Sequence, residues 1–264
     1  MPLIVWTVAN QKGGVGKTTT TIALAGILAE QGYRVLLVDT DPHASLSYYF
    51  GIESEDLDLS VYELFTQVSS REQILQTLCP TQYPNIDILP ATMGLATLDR
   101  SLGTKGGMGL VLKKAVHKVA DSYDYILIDC PPVLGVLMVN ALAAADRIVI
   151  PVQTEFLALK GLDRMIKTME IMQGEQESPF RYTIVPTMFD KRTKASILAF
   201  KKLQEVYTNQ IWPGVIPVDT NLRNASSAQK VPSEYAANSR GTLAYKSLLS
   251  FLTKLNLKNN EVER

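Results

Sequence analysis

Short runs of apolar residues recur along the chain and alternate with longer segments whose apolar positions follow the period of a helix. The apolar runs predict seven strands, at 3–9, 34–39, 85–90, 123–132, 147–152, 182–187 and 214–218. These runs show little alternation of polar and apolar residues, so both faces of each strand should be buried. Such strands are typical of a parallel sheet that is covered by helices on both sides.

The segments between the strands predict helices at 18–32, 108–121, 137–145, 156–173, 194–208 and 241–257, with a loop-and-helix stretch before residue 85. This alternation indicates an α/β fold with a doubly wound, mostly parallel sheet, which binds ligands at the carboxyl ends of its strands. No internal repeat and no Pro-, Gly- or Ser-rich linker interrupts the pattern. We therefore expect a single domain over residues 1–257, followed by a polar tail, 258–264, that frays.

Composition narrows the class of protein. The 264 residues include 26 Lys and Arg and 26 Asp and Glu, so no overall charge draws the chain to nucleic acid or a membrane, and such binding would need local patches. Two cysteines without a CxxC pair argue against a disulfide framework and a structural zinc site. The amino terminus has neither a basic leader region nor an apolar run that could cross a bilayer, so we expect a cytoplasmic protein.

The first predicted turn carries the clearest chemical signal. The sequence VANQKGGVGKTTTT, from Val8, places a glycine-rich loop between a strand and a helix, which is the context of a phosphate-binding loop. Its glycines let the backbone N–H groups face phosphate oxygens, and Lys17 is placed to contact the β- and γ-phosphates. The hydroxyl of Thr18 is a ligand for Mg²⁺, and that of Thr19 can bond the α-phosphate. The predicted contacts to ATP are Gly13, Gly14, Val15, Gly16, Lys17, Thr18 and Thr19.

Two loop positions depart from the common phosphate-loop pattern. Gln11 stands where that pattern has its first glycine, and Lys12 adds a second lysine. The segment KGGVGKTT resembles the deviant Walker A motif of the ParA/MinD family of P-loop ATPases. The resemblance implies that Lys12 reaches across a homodimer to the partner's nucleotide, where its charge would stabilise the transferred phosphoryl group. On charge chemistry alone, a solvated loop lysine is an equal alternative.

Three carboxylates follow predicted strands and match further motifs of that family. The segment RVLLVDTDPHASLS resembles its second motif, in which Asp41 orients or deprotonates the attacking water and Asp39 lies near the Mg²⁺ shell. The segment YILIDCPP resembles the Walker B strand, in which Asp129 holds a water bound to Mg²⁺. The D-x-D-P pattern alone would also fit a capped turn before a helix. His43 stands where the family more often has glutamine.

Later segments resemble the family's walls around the adenine base. They are PTMFDKRT (186–193) and IPVDTNLRNAS (216–226). The residues implied at the base are Thr187, Met188, Pro217 and Asp219. A further segment, 152–172, looks like the helix at the dimer face of relatives, although its apolar stripe would equally suit the core.

Basic residues cluster in the second half of the chain. In ParA relatives, arginines that match Arg192 and Arg223 contribute to sequence-independent DNA binding by the ATP-bound dimer, which contacts to phosphate explain. A solvated helix face is the alternative, and the neutral net charge favours it. The last predicted helix has an apolar stripe but few lysines on its polar face, so we expect it to dock on the body rather than anchor the chain to a membrane.

The resemblance implies a ParA-like ATPase that dimerises on ATP and positions a cargo through slow hydrolysis stimulated by a partner. One candidate cargo is a polar chemotaxis array with an adaptor protein, because DTDPHASLS and VQTEFLALKG look similar to ParC-type relatives. The other is a chromosome or plasmid, with a ParB-like centromere-binding protein as the partner. A MinD-like membrane-associated regulator and a metabolic P-loop ATPase stay open as further classes. The expected locations are the cytoplasm, the nucleoid and the cell pole.

Overall fold

The computed structural model describes residues 2–67, 70–102, 108–174 and 179–262. In these ranges the strands are β1 (Ile4–Val8), β2 (Val35–Asp39), β3 (Cys79–Pro80), β4 (Ile86–Leu89), β5 (Tyr125–Asp129), β6 (Arg147–Gln153) and β7 (Tyr182–Thr187). They form one sheet in the order β3-β4-β2-β5-β1-β6-β7, and each pairing is parallel except that of the edge strand β3. The doubly wound, mostly parallel sheet predicted from the sequence is confirmed.

Helices follow the strands along the chain, as the pattern predicts. They are α1 (Lys17–Glu30), α2 (Ser45–Tyr49), α3 (Val61–Thr66), α4 (Arg71–Gln76), α5 (Leu95–Leu102), α6 (Val111–Lys118), α7 (Val136–Ala144), α8 (Phe156–Gln173), α9 (Lys194–Val206), α10 (Thr220–Ser227), α11 (Pro232–Tyr235) and α12 (Arg240–Val262). Each of the six predicted helices is present within a few residues of its expected bounds. The last one continues to residue 262, five residues beyond the predicted end at 257.

The sheet separates two layers of apolar packing. All five residues of β1 are buried, and successive side chains of a strand point to opposite faces. Trp6 and Val8 pack in one layer with α1 and α12, whereas Val5 packs in the other with α6, α7 and α8. The absence of polar alternation in the sequence therefore reflects burial on both sides.

The predicted strand at 214–218 is wrong. This segment makes single backbone bonds beside β7: Ile216 N–H donates to Pro186 O (2.8 Å), and Phe189 N–H donates to Ile216 O (3.0 Å). The only bridge recorded for it in the described chain pairs Phe189 with Pro217. Val218 N–H also donates to Phe189 O (3.1 Å), so the pairing runs past Pro217. It stays limited to one bridge because Met188, directly after β7, has a φ of 51° and leaves the extended conformation, and the apolar run forms a wall segment rather than a strand.

The sequence analysis missed several short elements between β2 and β4 and after β7. Ser60 and Glu63 form a capping box at α3, and Ser70 and Gln73 form another at α4. This Ser-x-x-Glu/Gln spacing is a recognised helix start signal, so it could have located both helices. The edge strand β3 has two residues and carries no comparable signal.

The carboxy-terminal helix α12 docks on the body of the protein, as predicted. Its buried side chains are Tyr245, Leu248, Leu249 and Leu252. The hydroxyl of Tyr245 lies 3.0 Å from Thr20 Oγ1 in α1, which fixes the helix against the element that follows the glycine-rich loop. Within the ranges described above, no helix has the length and hydropathy needed to cross a bilayer.

The contact between α1 and α11 depends on a glycine. A Cβ atom at Gly26 would lie 2.7 Å from Val231 Cβ and 3.1 Å from Ser233 Oγ, closer than packed atoms approach. We expect Gly26→Ala to lower the free energy of unfolding by about 1–3 kcal/mol, because overpacking forces the elements apart. Urea denaturation of the nucleotide-free protein measures this change.

Gly161 in α8 provides the matched control, since a Cβ atom there would have nothing within 4 Å. We expect Gly161→Ala to raise the free energy of unfolding by roughly 0.5–1 kcal/mol through helix propensity alone. Equal effects of the two substitutions would contradict the packing argument.

Candidate functional site

The glycine-rich loop joins the end of β1 to the start of α1. Gly14 (φ 73°) and Gly16 (φ 91°) adopt left-handed backbone conformations, which cost other residues about 1–2 kcal/mol. Val15 between them is buried, and its carbonyl accepts a hydrogen bond of 2.9 Å from Thr187 Oγ1 at the end of β7. The loop is therefore curled by its glycines and held to the carboxyl edge of the sheet.

Lys17 and Thr18 open α1 directly behind the loop. Lys17 is only 7% exposed, and its ammonium donates back across the loop to Lys12 O at 3.3 Å. The hydroxyl of Thr18 donates to Asp129 Oδ2 at 2.6 Å, and Thr21 Oγ1 lies 3.3 Å from Asp129 Oδ1. The structure thus places Asp129 next to the hydroxyl of Thr18, which follows Lys17, although more than 100 positions separate the carboxylate from this pair in the sequence.

Asp39 and Asp129 are paired neighbours at the carboxyl ends of β2 and β5, and both are buried. Burial and the charge of Asp39 raise the pKa of Asp129 to about 8. Burial raises the pKa of Asp39 to about 6. A divalent cation would offset both the lost hydration and the mutual repulsion, and oxygen donors such as Thr18 and Asp129 are those that Mg²⁺ prefers. The residues present therefore fit Mg²⁺.

Asp39, unlike Asp129, accepts hydrogen bonds from the segment that follows β2. Its Oδ2 accepts from Ser47 N (2.9 Å) and Ser47 Oγ (2.8 Å), and its Oδ1 accepts from Asp41 N (3.1 Å). Both oxygens are therefore engaged in fixing the turn between β2 and α2. This geometry favours a supporting position for Asp39 behind the Mg²⁺ ligands, and its predicted place near the metal shell stays a prediction.

Asp41 lies in the turn that Asp39 fixes. Its carboxylate accepts from His43 N at 3.0 Å, and its carbonyl accepts from Ala44 N at 2.8 Å. Ala44 has a φ of 51°, an uncommon conformation for a residue with a side chain. Asp41 is half-buried, so its carboxylate is held by the backbone and still reaches solvent. The D-x-D-P segment is thus both a capped turn and a carrier of an accessible carboxylate.

Lys12 makes a contact that the sequence did not predict. Its ammonium forms an ion pair with Glu155 and donates to Gln153 Oε1 at 3.2 Å, both in the same chain. Glu155 immediately precedes α8, whose first residues, Phe156 and Leu157, are each 68% exposed. The lysine of the deviant motif therefore lies at the edge of an apolar, solvent-facing surface.

The rest of α8 belongs to the core. Its buried side chains are Ala158, Leu162, Met165, Ile166 and Met169. Of the two interpretations left open for the apolar stripe, core packing is confirmed for these positions. The large exposed apolar side chains of α8 are Phe156 and Leu157 in the first turn and Ile171 in the last.

A cavity of about 470 Å³ adjoins the loop, within the size range of small-molecule sites. Its lining includes predicted contacts from both the phosphate and the base side, namely Val15, Gly16, Thr19, Thr187, Met188, Pro217 and Asp219. Asp219 shapes this wall as a helix cap, since it accepts from Asn221 N (2.9 Å) and Gly241 N (2.7 Å). The structure thus brings the two predicted halves of the nucleotide site together.

Other residues of the same lining come from the predicted adenine-side segment 216–226 without having been singled out: Ile216, Val218, Leu222 and Ser226. Gln153 and Tyr245 were not predicted at the base. Arg223, predicted for DNA, also lines the cavity. Gln153 directly follows the strand predicted at 147–152, so its position at the carboxyl edge of the sheet could have indicated it. Tyr245 had no such signal in the sequence, because it lies in α12 and reaches the cavity only through the packing of that helix on α1.

Arg192 lies outside that cavity. Its side chain is 80% exposed and forms an ion pair with Asp190 at 2.8 Å. Lys191, Arg192 and Arg240 border a second, open depression of about 740 Å³ next to the nucleotide cavity. The two predicted DNA-binding arginines therefore occupy adjacent surfaces, one at the nucleotide cavity and one beside it.

Comparison with known proteins agrees with this geometry. The model of a family described as an AAA domain matches residues 4–181. Sporulation initiation inhibitor protein Soj of Bacillus subtilis is 37% identical over 242 residues, covering 91% of this chain and 94% of Soj. Chromosome partitioning protein ParA of Caulobacter vibrioides is 35% identical over 250 residues, covering 94% and 92%.

A solved structure is similar over nearly the full length. Cobyrinic acid a,c-diamide synthase from Mycobacterium smegmatis, with a bound ATP analog and magnesium, superposes with a TM-score of 0.81 at 32% identity. The match covers 96% of this chain and 95% of that one. The loop with two lysines, the carboxylates at the strand ends and these similarities lead to one conclusion: the chain belongs to the ParA/MinD family of P-loop ATPases.

Proposed function

We propose that this chain binds ATP with Mg²⁺ at the loop, dimerises around the nucleotide and hydrolyses it slowly to position a cargo. One observation carries the proposal: Lys12, Lys17, the Thr18–Asp129 pair and Asp41 all lie at the carboxyl edge of the sheet, beside the 470 Å³ cavity. The bound nucleotide and magnesium of the Mycobacterium smegmatis structure support the choice of ligand.

Each residue has a defined task in this proposal. Mg²⁺, when bound, neutralises phosphate charge. Lys17 and the backbone N–H groups of the loop hold the phosphates. The lysine carries a positive charge, and Gly14 and Gly16 already curl the loop backbone. Thr18 and Asp129 are the candidate metal-side residues. Asp41, held by the His43 N–H, accepts a proton from the attacking water or orients it.

Dimerisation follows from the position of Lys12. In the single chain its charge is satisfied by Glu155, and it lies beside the exposed Phe156 and Leu157. A second copy that covers this apolar surface would bring Lys12 toward the partner's phosphates. ATP then favours the dimer, and hydrolysis removes the charge that holds it, which makes a two-state switch. A partner protein, ParB-like or an array adaptor, would speed the step.

Among cargoes, we favour DNA at the nucleoid. The name of one relative, the chromosome partitioning protein ParA of Caulobacter vibrioides, supports this choice. The depression beside the cavity contains Lys191, Arg192 and Arg240 against two carboxylates, Asp190 and Asp219, so basic groups are in excess on this surface. Contacts of this kind bind phosphate without reading sequence.

The test is DNA binding by the protein with a non-hydrolysable ATP analogue. We expect Arg192→Ala to weaken binding across unrelated sequences and to reduce the salt dependence by about one unit per lost phosphate contact. Lys254→Ala, the loss of an exposed positive charge on α12, is the matched control and should leave binding unchanged. Absence of any ATP-dependent DNA binding by the wild type would contradict the DNA cargo.

The polar chemotaxis array is the second candidate cargo, favoured by the similarity of DTDPHASLS and VQTEFLALKG to ParC-type relatives. A fluorescent fusion separates the two, because DNA cargo predicts signal over the nucleoid and an array predicts a polar focus. A metabolic role is favoured only by the similarity to the diamide synthase. Such an enzyme would couple ATP use to a small-molecule product, whereas a switch releases phosphate without one.

A further inference from the structure

A second cavity lies at the opposite end of the two strands that border the nucleotide cavity. Arg147 and Tyr182 begin β6 and β7, whereas Gln153 and Thr187 end them at the nucleotide side. Seven residues of β6 separate the two ends by about 20 Å. This second cavity has a volume of about 310 Å³ and receives no residue of the glycine-rich loop.

A buried arginine lines the cavity without an acidic partner. Arg147 is 6% exposed, and its hydrogen bonds go to two neutral oxygens, Asn256 Oδ1 (3.4 Å) and Thr183 Oγ1 (3.2 Å). Across the described part of the chain, none of the ion pairs involves Arg147. A buried guanidinium is normally paired with a carboxylate, because its lost hydration is expensive. Its charge is therefore uncompensated by the protein groups described.

Among the described residues, the lining of this cavity contains neutral polar groups and no carboxylate. Asn256 Nδ2 is buried and has no hydrogen-bond partner in the described structure. Arg181 lines the same cavity, and its charge, after burial, lowers the pKa of Arg147. A water molecule could accept hydrogen bonds from the unpaired N–H groups, but it could not neutralise the charge of Arg147. A negatively charged acceptor would do both.

We propose that this cavity binds a small oxyanion, a carboxylate or phosphate group, through the guanidinium of Arg147. Asn209 and Gln210 lie in the lining and offer neutral hydrogen-bonding groups beside the anion. Phe180 and Phe251 contribute aromatic surface to the same lining. A water molecule takes up about 30 Å³, so the cavity exceeds the needs of a bare anion. The remaining volume and the two phenylalanines suit a ligand with a small apolar group beside the charge.

Benzoate and phenyl phosphate are suitable probes, and benzamide is the neutral match for benzoate. We expect calorimetric binding of at least one charged probe to the wild-type protein, with a raised melting temperature, and no binding of benzamide. Arg147→Met should weaken that binding by at least about thirtyfold, because it removes one partner of a buried charged contact. Arg147→Lys retains the charge and should bind more tightly than Arg147→Met.

Lys17→Ala separates this cavity from the phosphate loop. We expect it to retain the binding of the charged probe, and a loss there would place the probe in the loop and overturn the proposal. Binding of phenyl phosphate alone identifies a phosphate ligand, and binding of benzoate alone identifies a carboxylate. Equal binding of benzamide, or no binding of either anion, overturns the proposal. Should the Arg147 variants fail to fold, side-chain amide shifts of Asn209 and Gln210 in the wild type decide it, since unshifted signals overturn it too.

Discussion

Replacing Asp41 by alanine should reduce the rate of ATP turnover by about 10²–10⁴-fold, the usual loss when a positioned acid–base group is removed. The structure gives Asp41 the required properties, since its carboxylate is held by His43 N at 3.0 Å and reaches solvent at the carboxyl edge of the sheet. Nucleotide binding should persist, because the proposed phosphate contacts come from the loop N–H groups and Lys17 and not from Asp41. The rate of phosphate release tests the expected loss of turnover, and the affinity for a non-hydrolysable ATP analogue tests the retained binding.

Two further variants separate chemistry from structure. Asp41→Asn retains an oxygen that can accept from His43 N but has lost the charge, so turnover should fall as far as in Asp41→Ala. Asp58→Ala removes an exposed carboxylate outside the site and should leave turnover unchanged. Near-normal turnover by Asp41→Asn would show that the residue serves only to shape the turn.

The parts of the site that the sequence predicts are those built by local chain geometry. Strand, glycine-rich turn and helix follow one another within about twenty residues, so the positions of Gly14, Gly16 and Lys17 are fixed by local conformation. Asp39 and Asp129 are also predictable, because parallel strands end at the same edge of a sheet and carry their last residues there. The apolar runs predict the buried strands β2 and β5, and the ends of these strands form that edge.

The parts that escaped prediction depend on contacts between distant segments. Tyr245 reaches the nucleotide cavity only because α12 packs against α1, and nothing in its local sequence indicates that packing. The segment at 214–218 has the apolar character of a strand, but the chain it pairs with leaves the extended conformation at Met188 (φ 51°), so only one bridge is recorded there in the described chain. The ion pair between Lys12 and Glu155 spans 143 positions. Such pairings follow from the tertiary fold, which single-sequence patterns do not contain.

Lys12→Ala should abolish the ATP-dependent dimer at concentrations where the wild type dimerises. A hydrogen bond to a charged group contributes about 1.5–3 kcal/mol, and a symmetric dimer would contain two such contacts. Their combined loss corresponds to roughly 10²–10⁴-fold in dimer affinity. Sedimentation velocity with a non-hydrolysable ATP analogue measures it. Lys114→Ala, an exposed lysine on α6, is the control and should dimerise normally.

Glu155→Gln should have a smaller effect of opposite sign. Its carboxylate holds Lys12 within the single chain, yet the two side chains are 40% and 33% exposed, and ion pairs this open contribute no more than about 1 kcal/mol. Removing the negative charge releases the lysine of each subunit, so two pairs are lost per dimer, and this should strengthen the dimer by up to about thirtyfold. A dimer weakened by Glu155→Gln would mean that Glu155 acts across the interface, and an intact dimer in Lys12→Ala would remove the lysine from it. The magnitudes separate the two roles: the pair within one chain only tunes the switch, whereas contacts across two chains create it.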